Sequence, residues 1–273
     1  MNKRKWMAYI LYGILVTALF LYLLFPAGYM EKYVRVHMAE ALPGMAVQVG
    51  SAALVLPPGM MLRDLAVVER EGASPVFAAE KITVRPSLGS LFRDSISLNA
   101  RARAYGGNIT ARIVLPEGNR AGGPYEVTAN LDALDMGRYS LLNESLGQRI
   151  EGELSGDIRY RGVRGTSLEG EGTINLLLLD GSLSLSADLF GFGAVDFERA
   201  ESSMNIKKRT VTIEKLNITG SQMNGSLSGK VMLRDPLPRS MLSLRGKIDI
   251  PALNKKISVY LGGTLEKPSP RLK

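Results

Sequence analysis

The 273-residue chain contains no cysteine and a single histidine, His37. Without thiols it can form neither disulfide staples nor thiolate metal sites, so stability has to come from a hydrophobic core or from assembly. With one histidine, Ser-His-Asp, Cys-His and histidine-rich metal groupings are poorly supported, and no second imidazole is there to complete a usual transition-metal site. A dense basic block is also missing. The formal charge is +8, but Lys3, Arg4 and Lys5 precede the one long apolar run; without them 31 basic residues face 26 acidic ones. That mild excess gives nucleic-acid binding little support.

Other catalytic signatures are equally thin. Gly191-Phe192-Gly193 is too short, and in the wrong context, for a phosphate-binding loop. Glu151, Glu153 and Asp157 alternate along one strand, as solvation requires, rather than gathering as a carboxylate pair. The expectation is a protein that is not an enzyme, with no cofactor and no metal.

What is present begins with Met7 to Phe25, 19 uncharged and mostly apolar residues. At about 1.5 Å per residue such a helix matches a hydrocarbon core of about 30 Å. Lys3, Arg4 and Lys5 immediately before it hold that end in the cytoplasm, so the remainder is expected on the far side. Trp6, Tyr9, Tyr22 and Tyr29 stand near the two ends of the span, where amphipathic rings favour the interface. The run exceeds the apolar region of a cleaved signal peptide, and no clear small-x-small site follows it. The sequence thus divides into a basic flank (1–6), a transmembrane helix (7–25), a juxtamembrane amphipathic segment (26–43) and a β-rich domain (44–273). In the third part Met30, Tyr33, Val34, His37, Met38 and Ala41 recur at helical spacing until Pro43-Gly44.

Beyond Gly44 the period changes to two. Ile150, Gly152, Leu154, Gly156, Ile158 and Tyr160 share one strand face, and Glu151, Glu153, Ser155, Asp157 and Arg159 share the other. Ile109, Ala111 and Ile113 oppose Thr110 and Arg112 in the same way, and Leu242, Leu244 and Ile248 oppose Ser243, Arg245 and Lys247. The pattern predicts strands at about 46–56, 61–69, 76–85, 94–105, 107–115, 124–132, 149–161, 166–180, 182–190, 194–206, 210–219, 223–234, 241–250 and 257–265. Gly106-Gly107 and Asp180-Gly181 read as two-residue hairpin turns, and Lys207-Lys208-Arg209 closes another. Only Ser87 to Phe92 and Asp135 to Leu146 look helical. Short connections imply an antiparallel meander.

The expected fold is therefore mainly β: an N-terminal transmembrane helix followed by an elongated, curved antiparallel sheet, half-pipe or sandwich-like, with few short helices. A sheet with one dry face hides it under helices, under a second sheet, or by bending around something apolar. Helices are in short supply here; the other two solutions stay open. If the face takes lipid acyl chains, Ile174, Leu176, Leu178, Leu183 and Leu185, around the run Leu176 to Leu179 that is apolar on both faces, are the candidate lining.

Short motifs carry a resemblance. Ser87-Leu88-Gly89-Ser90-Leu91-Phe92 leads into a strand, Tyr105-Gly106-Gly107 turns and Asn108 to Leu115 returns; Asn217 to Gly220 later turns through Ser221 to Gly225 into Ser226 to Leu233. This unit resembles the repeat of the AsmA-like envelope proteins. Gly263-Thr264-Leu265-Glu266-Lys267-Pro268-Ser269-Pro270 resembles the closing G-T-L-x-x-P-x-P segment of that group. With the single anchor, Leu24-Phe25-Pro26 at its exit and no sign of a further domain, nearly the whole chain is most similar to the type II secretion system protein N family. The resemblance implies a single-pass inner-membrane protein with a periplasmic domain, serving the machine that moves folded proteins across the outer membrane. Its implied partners are the membrane and other secretion-system envelope proteins, with no nucleic acid. A lipid-binding or lipid-transfer role, as an AsmA-like relative, is the alternative.

Overall fold

A computed structural model describes residues 12, 45–56, 59–69, 75–87, 89–90, 95–116, 122–139, 150–165, 169–184, 194–234, 239–251, 255–265 and 267–272. The segments expected to be a basic flank, a transmembrane span (apart from Tyr12) and a juxtamembrane helix with His37 lie outside these residues, as does Leu185. Among the described residues no helix is long and apolar enough to cross a membrane.

The chain is mainly β. Among the described residues, fourteen antiparallel strands form one open sheet in strict sequence order, each pairing with the strand before it and the strand after it. They are β1 Met45–Val55, β2 Gly59–Glu69, β3 Pro75–Pro86, β4 Ile96–Ala104, β5 Gly107–Leu115, β6 Pro124–Asp135, β7 Ile150–Val163, β8 Glu171–Ser184, β9 Ala194–Lys207, β10 Thr210–Thr219, β11 Asn224–Met232, β12 Met241–Ile250, β13 Lys255–Gly263 and β14 Pro268–Leu272. Period-two patterning joined by short turns has no cheaper solution than this meander, because hairpin neighbours close the shortest loops.

Three expectations are corrected. The Asp180-Gly181 turn does not exist: Asp180 has φ 47°, but β8 runs through it to Ser184, and Gly181 pairs with Phe197. The same left-handed backbone that makes a hairpin also makes a bulge, and the ladder to β7 shifts register at this place. The predicted strand 182–190 therefore begins as the end of β8. Asp135 to Leu146 does not start as an α-helix. Asp135 is the last residue of β6, and a single 3-10 turn follows over Met136–Arg138, with the Asp135 carboxylate accepting from the Gly137 N–H; residues 140–149 lie outside the described set. Finally, a further strand, β14, follows the last one expected at 257–265. Prolines are tolerated there because β14 is the edge of the sheet.

The hairpin at Lys208-Arg209 is as expected, with φ of 45° and 60° at its two central residues. The neighbouring prediction is off by one: the turn is Tyr105-Gly106, at φ 52° and 78°, and Gly107 already belongs to β5. A side chain at Gly107 would run into the Ala133 and Asp132 carbonyls, so this glycine serves close strand approach rather than the turn.

Burial is uneven along the sheet. Among the described residues a cluster of buried apolar side chains, Val47, Val49, Ala52, Leu62, Leu65 and Val67, sits in β1 and β2, with Phe77 and Ile82 of β3 against it. Away from that end the apolar face is mostly half-buried, with Val195, Phe197, Val231 and Leu244 among the exceptions.

Candidate functional site: the apolar face of the sheet

Register turns separate hydrophobic strands into one surface. Following Cα partners from β1 to β14 gives Ala52, Leu62, Ile82, Ala102, Ile109, Leu131, Gly156, Leu176, Ser202, Leu216, Leu227, Gly246, Val259 and Leu272. Ser202 is the one polar residue in a row that crosses every strand. One step along the strands, Ala100, Ala111 and Ala129 are succeeded by Ile158, Ile174, Met204 and Ile213. Small side chains over β4–β6 thus give way to large ones over β7–β10.

Of the candidate lining residues, Ile174, Leu176 and Leu178 share this face and are half-buried. The Asp180 bulge inserts one extra residue, and this returns Leu183 to the same face, opposite Ile150 and Val195. The structure therefore gathers four of the five; Leu185 lies outside the described residues. Leu177 and Leu179 point to the other face, where Ser155 and Glu153 on β7 and Glu201 and Arg199 on β9 are their partners. They are half-buried rather than sealed in a two-sided core.

Aromatic rings lie over glycines across strands, which sequence alone did not reveal. Phe197 sits opposite Gly181, Tyr160 opposite Gly172, and Tyr125 opposite Gly162. A Cβ on Gly181 would enter the Phe197 ring, and one on Gly172 would come within 2.9 Å of Tyr160. Each ring covers backbone that its glycine leaves bare, the cross-strand arrangement that offsets the weakness of glycine in a strand. Phe197 is only 8% exposed and is the largest side chain among the buried apolar residues.

One end of the face is closed by an aromatic group. The Tyr105 ring stacks edge-on with Phe77 at 6.2 Å and with Tyr139 at 5.5 Å between centroids. The Tyr105 hydroxyl accepts from the Ala78 N–H at 2.8 Å, and the Tyr139 hydroxyl donates to the Val76 carbonyl at 3.3 Å. Both tie the turns after β4 and β6 back to β3. Burial raises the pKa of both phenols above the ordinary tyrosine value; a hydrogen bond from Ala78 works against this for Tyr105, and repulsion from Tyr105 adds to it for Tyr139. A raised folded pKa favours the neutral phenol, so stability from this pair is complete below about pH 10 and is lost as pH rises beyond it. Thermal melts from pH 8 upward should show a fall above pH 10 that Tyr139→Phe reduces, since that variant keeps the ring stack and removes one titrating group.

The opposite face is wet and ordered by pairs. Glu126, Arg161, Glu171 and Lys207 stand directly opposite one another on β6 to β9, with Arg161–Glu126 at 2.6 Å and Lys207–Glu171 at 3.3 Å. Asn175 donates to the Asp157 carboxylate at 3.1 Å and accepts from the Ser203 hydroxyl at 2.9 Å. Glu151 and Glu153 are exposed on this strand, as solvated acids are. Among the described residues no group of three or more histidine, cysteine, aspartate or glutamate side chains is placed to hold a metal ion. A shallow open depression beside Val47, Val49 and Asp64 brings no reactive groups together.

Searches of protein-family models, of curated proteins and of solved structures return no match to this chain.

Proposed function

We propose that this chain is a non-enzymatic, inner-membrane-tethered component of the type II secretion apparatus, holding its sheet in the periplasm. One observation carries the reading: the fourteen strands form a single sequential sheet with one dry and one wet face, the extended architecture that the resemblance to the protein N family implies. In this role the wet face and the strand edges meet partner proteins, and the N-terminal span sets the distance from the membrane. Deletion of the gene should abolish or sharply reduce export of folded exoproteins while leaving their synthesis unchanged. Normal export together with normal assembly of the apparatus would reject the proposal.

A second reading is favoured by the half-exposed apolar face. In it, the sheet is curved as a half-pipe around that face and accepts lipid acyl chains. Register shifts in the β2–β3, β6–β7, β7–β8, β9–β10 and β10–β11 ladders support such bending, because each bulge adds local twist. The alanines at positions 100, 111 and 129 provide a low floor, and Ile174, Leu176 and Leu178 a continuous greasy surface beside it. Burial of an acyl chain contributes about 0.8 kcal/mol per methylene group, so a groove of this kind needs no reactive residue. Native mass spectrometry of the full chain in mild detergent should then show co-purified lipid.

A further inference from the structure

On the wet face of β2 to β4 cations stand directly opposite cations. Arg63, Lys81 and Arg103 stand directly opposite one another on β2, β3 and β4, all three exposed. Arg101 follows two residues along β4, and Arg85 and Arg112 flank Asn99 in a third row. The four strands β2 to β5 carry six basic residues against the acids Asp64, Glu69 and Glu80. One ion pair is formed among the described residues of this group, Arg103 with Glu80 at 3.6 Å, and both side chains are more than half exposed. The buried Nε of Arg85 has no hydrogen-bond partner.

Like charges directly opposite across a strand pair destabilise a sheet. Elsewhere among the described strands no cation faces a cation, although one acidic pair, Asp135 and Glu153, stands directly opposite. Glu126, Arg161, Glu171 and Lys207 alternate in sign, while Lys247 faces Ser226 and Ser258, and Arg245 faces Ser228 and Tyr260. The stacked cations of β2–β4 are thus a local departure rather than a general excess of positive charge.

We propose that this cationic patch is a docking surface for an acidic segment of a partner polypeptide lying extended along the strands. The spacing selects that occupant. Arg101 and Arg103 stand about 6.7 Å apart along β4, Lys81 and Arg85 about 13 Å apart along β3, and facing strands about 4.8 Å apart. Alternate side chains of an extended peptide repeat at the first of these distances along its length, so a run of alternating carboxylates meets Arg101 and Arg103 in step. The head groups of a bilayer have no such fixed repeat, and the patch lies on the flat of the sheet rather than at its strand ends. This inference goes beyond the role proposed above and does not depend on which machine the partner belongs to.

The test uses the full chain in detergent micelles and a fluorescein-labelled peptide of alternating glutamate and threonine, read by anisotropy. Lys81→Glu places a carboxylate between Arg63 and Arg103, so that the row alternates in sign. It is expected to raise the thermal midpoint, by removing repulsion, and to weaken peptide binding by about tenfold. A Lys247→Glu variant has the same net charge and is expected to bind within about twofold of the unmodified chain. Binding should fall steeply as salt rises from about 50 to about 300 mM. Equal loss in both variants, a lowered midpoint for Lys81→Glu, or no binding at low salt would overturn the proposal. So would phosphatidylglycerol vesicles that bind more tightly than the peptide and lose that binding in Lys81→Glu, since the patch would then belong to a membrane surface.

Discussion

Phe197→Ala is expected to cost about 3–5 kcal/mol, the usual range for truncating a buried aromatic side chain, and to be the most damaging single truncation in the strands. Phe197 is buried where most of the surrounding apolar face is not, and its ring lies across the Gly181 backbone beside the Asp180 bulge. Removing it exposes backbone on both β8 and β9 and opens a gap next to the most irregular point of the ladder. Gly181→Val should fail from the other side. The added Cβ enters the same ring, and overpacking of this kind costs about 1–3 kcal/mol. Urea denaturation of the full chain in micelles, followed by circular dichroism of the strand signal, measures both. Near-normal stability for Phe197→Ala would mean that the ring is not structural. The double variant Phe197→Ala/Gly181→Val is expected to lose less than the two single costs combined, because each change makes room for the other.

If the apolar face holds acyl chains, as the second reading proposes, Leu176→Glu should behave in the opposite way, with little loss of stability and a large loss of bound lipid. In a sealed core a glutamate at this position would bring several kcal/mol of unpaired charge. Here the side chain is half-buried, and its neighbours across the strands are Gly156 and Ser202, so a carboxylate can turn towards solvent. An acyl chain lying over the same place would have to desolvate that charge. Lipid co-purifying with the full chain should therefore drop by at least about tenfold in Leu176→Glu, while the urea midpoint stays close to that of the unmodified chain. Ile174→Glu, one row away, should repeat the result. A collapse of the fold in both variants would show a closed core and remove the lipid reading. Retention of lipid at the original level would place any acyl chain elsewhere.

The contrast between these two residues shows how much of the molecule was legible in the amino-acid order. Strict alternation is a local signal, so β5, β10 and β12 fall at the residues expected for them. The hairpin at Lys208-Arg209 was legible for the same reason. Asp180-Gly181 misled because a left-handed residue such as Asp180 is as useful in a bulge as in a turn, and only the continuing ladder to β9 distinguishes the two. β14 was not among the expected strands; its Pro268 and Pro270 are ruled out of central strands but not of an edge. The candidate lining was picked as a leucine-rich run, and four of its members share one face of the sheet. The aromatic rings over Gly162, Gly172 and Gly181 were not visible. Their partners lie on neighbouring strands, and pairing register is a property of two segments at once. The opposed cations Arg63, Lys81 and Arg103 escaped detection on the same grounds: each is an ordinary solvated residue in its own strand.

The sequential order of the strands bears on how such a sheet comes into being. Each strand needs only its predecessor as a template, so no segment must wait for a distant part of the chain before it can pair. Contacts of short sequence separation favour rapid folding, and a chain appearing from its N-terminus can add hairpin after hairpin to a growing edge. At β14 the edge is blunted, because Pro268 and Pro270 lack the N–H groups that a neighbouring strand would use. By the same logic, a homologue could lengthen or shorten the ribbon by whole hairpins without redesigning what remains, as repeat proteins do.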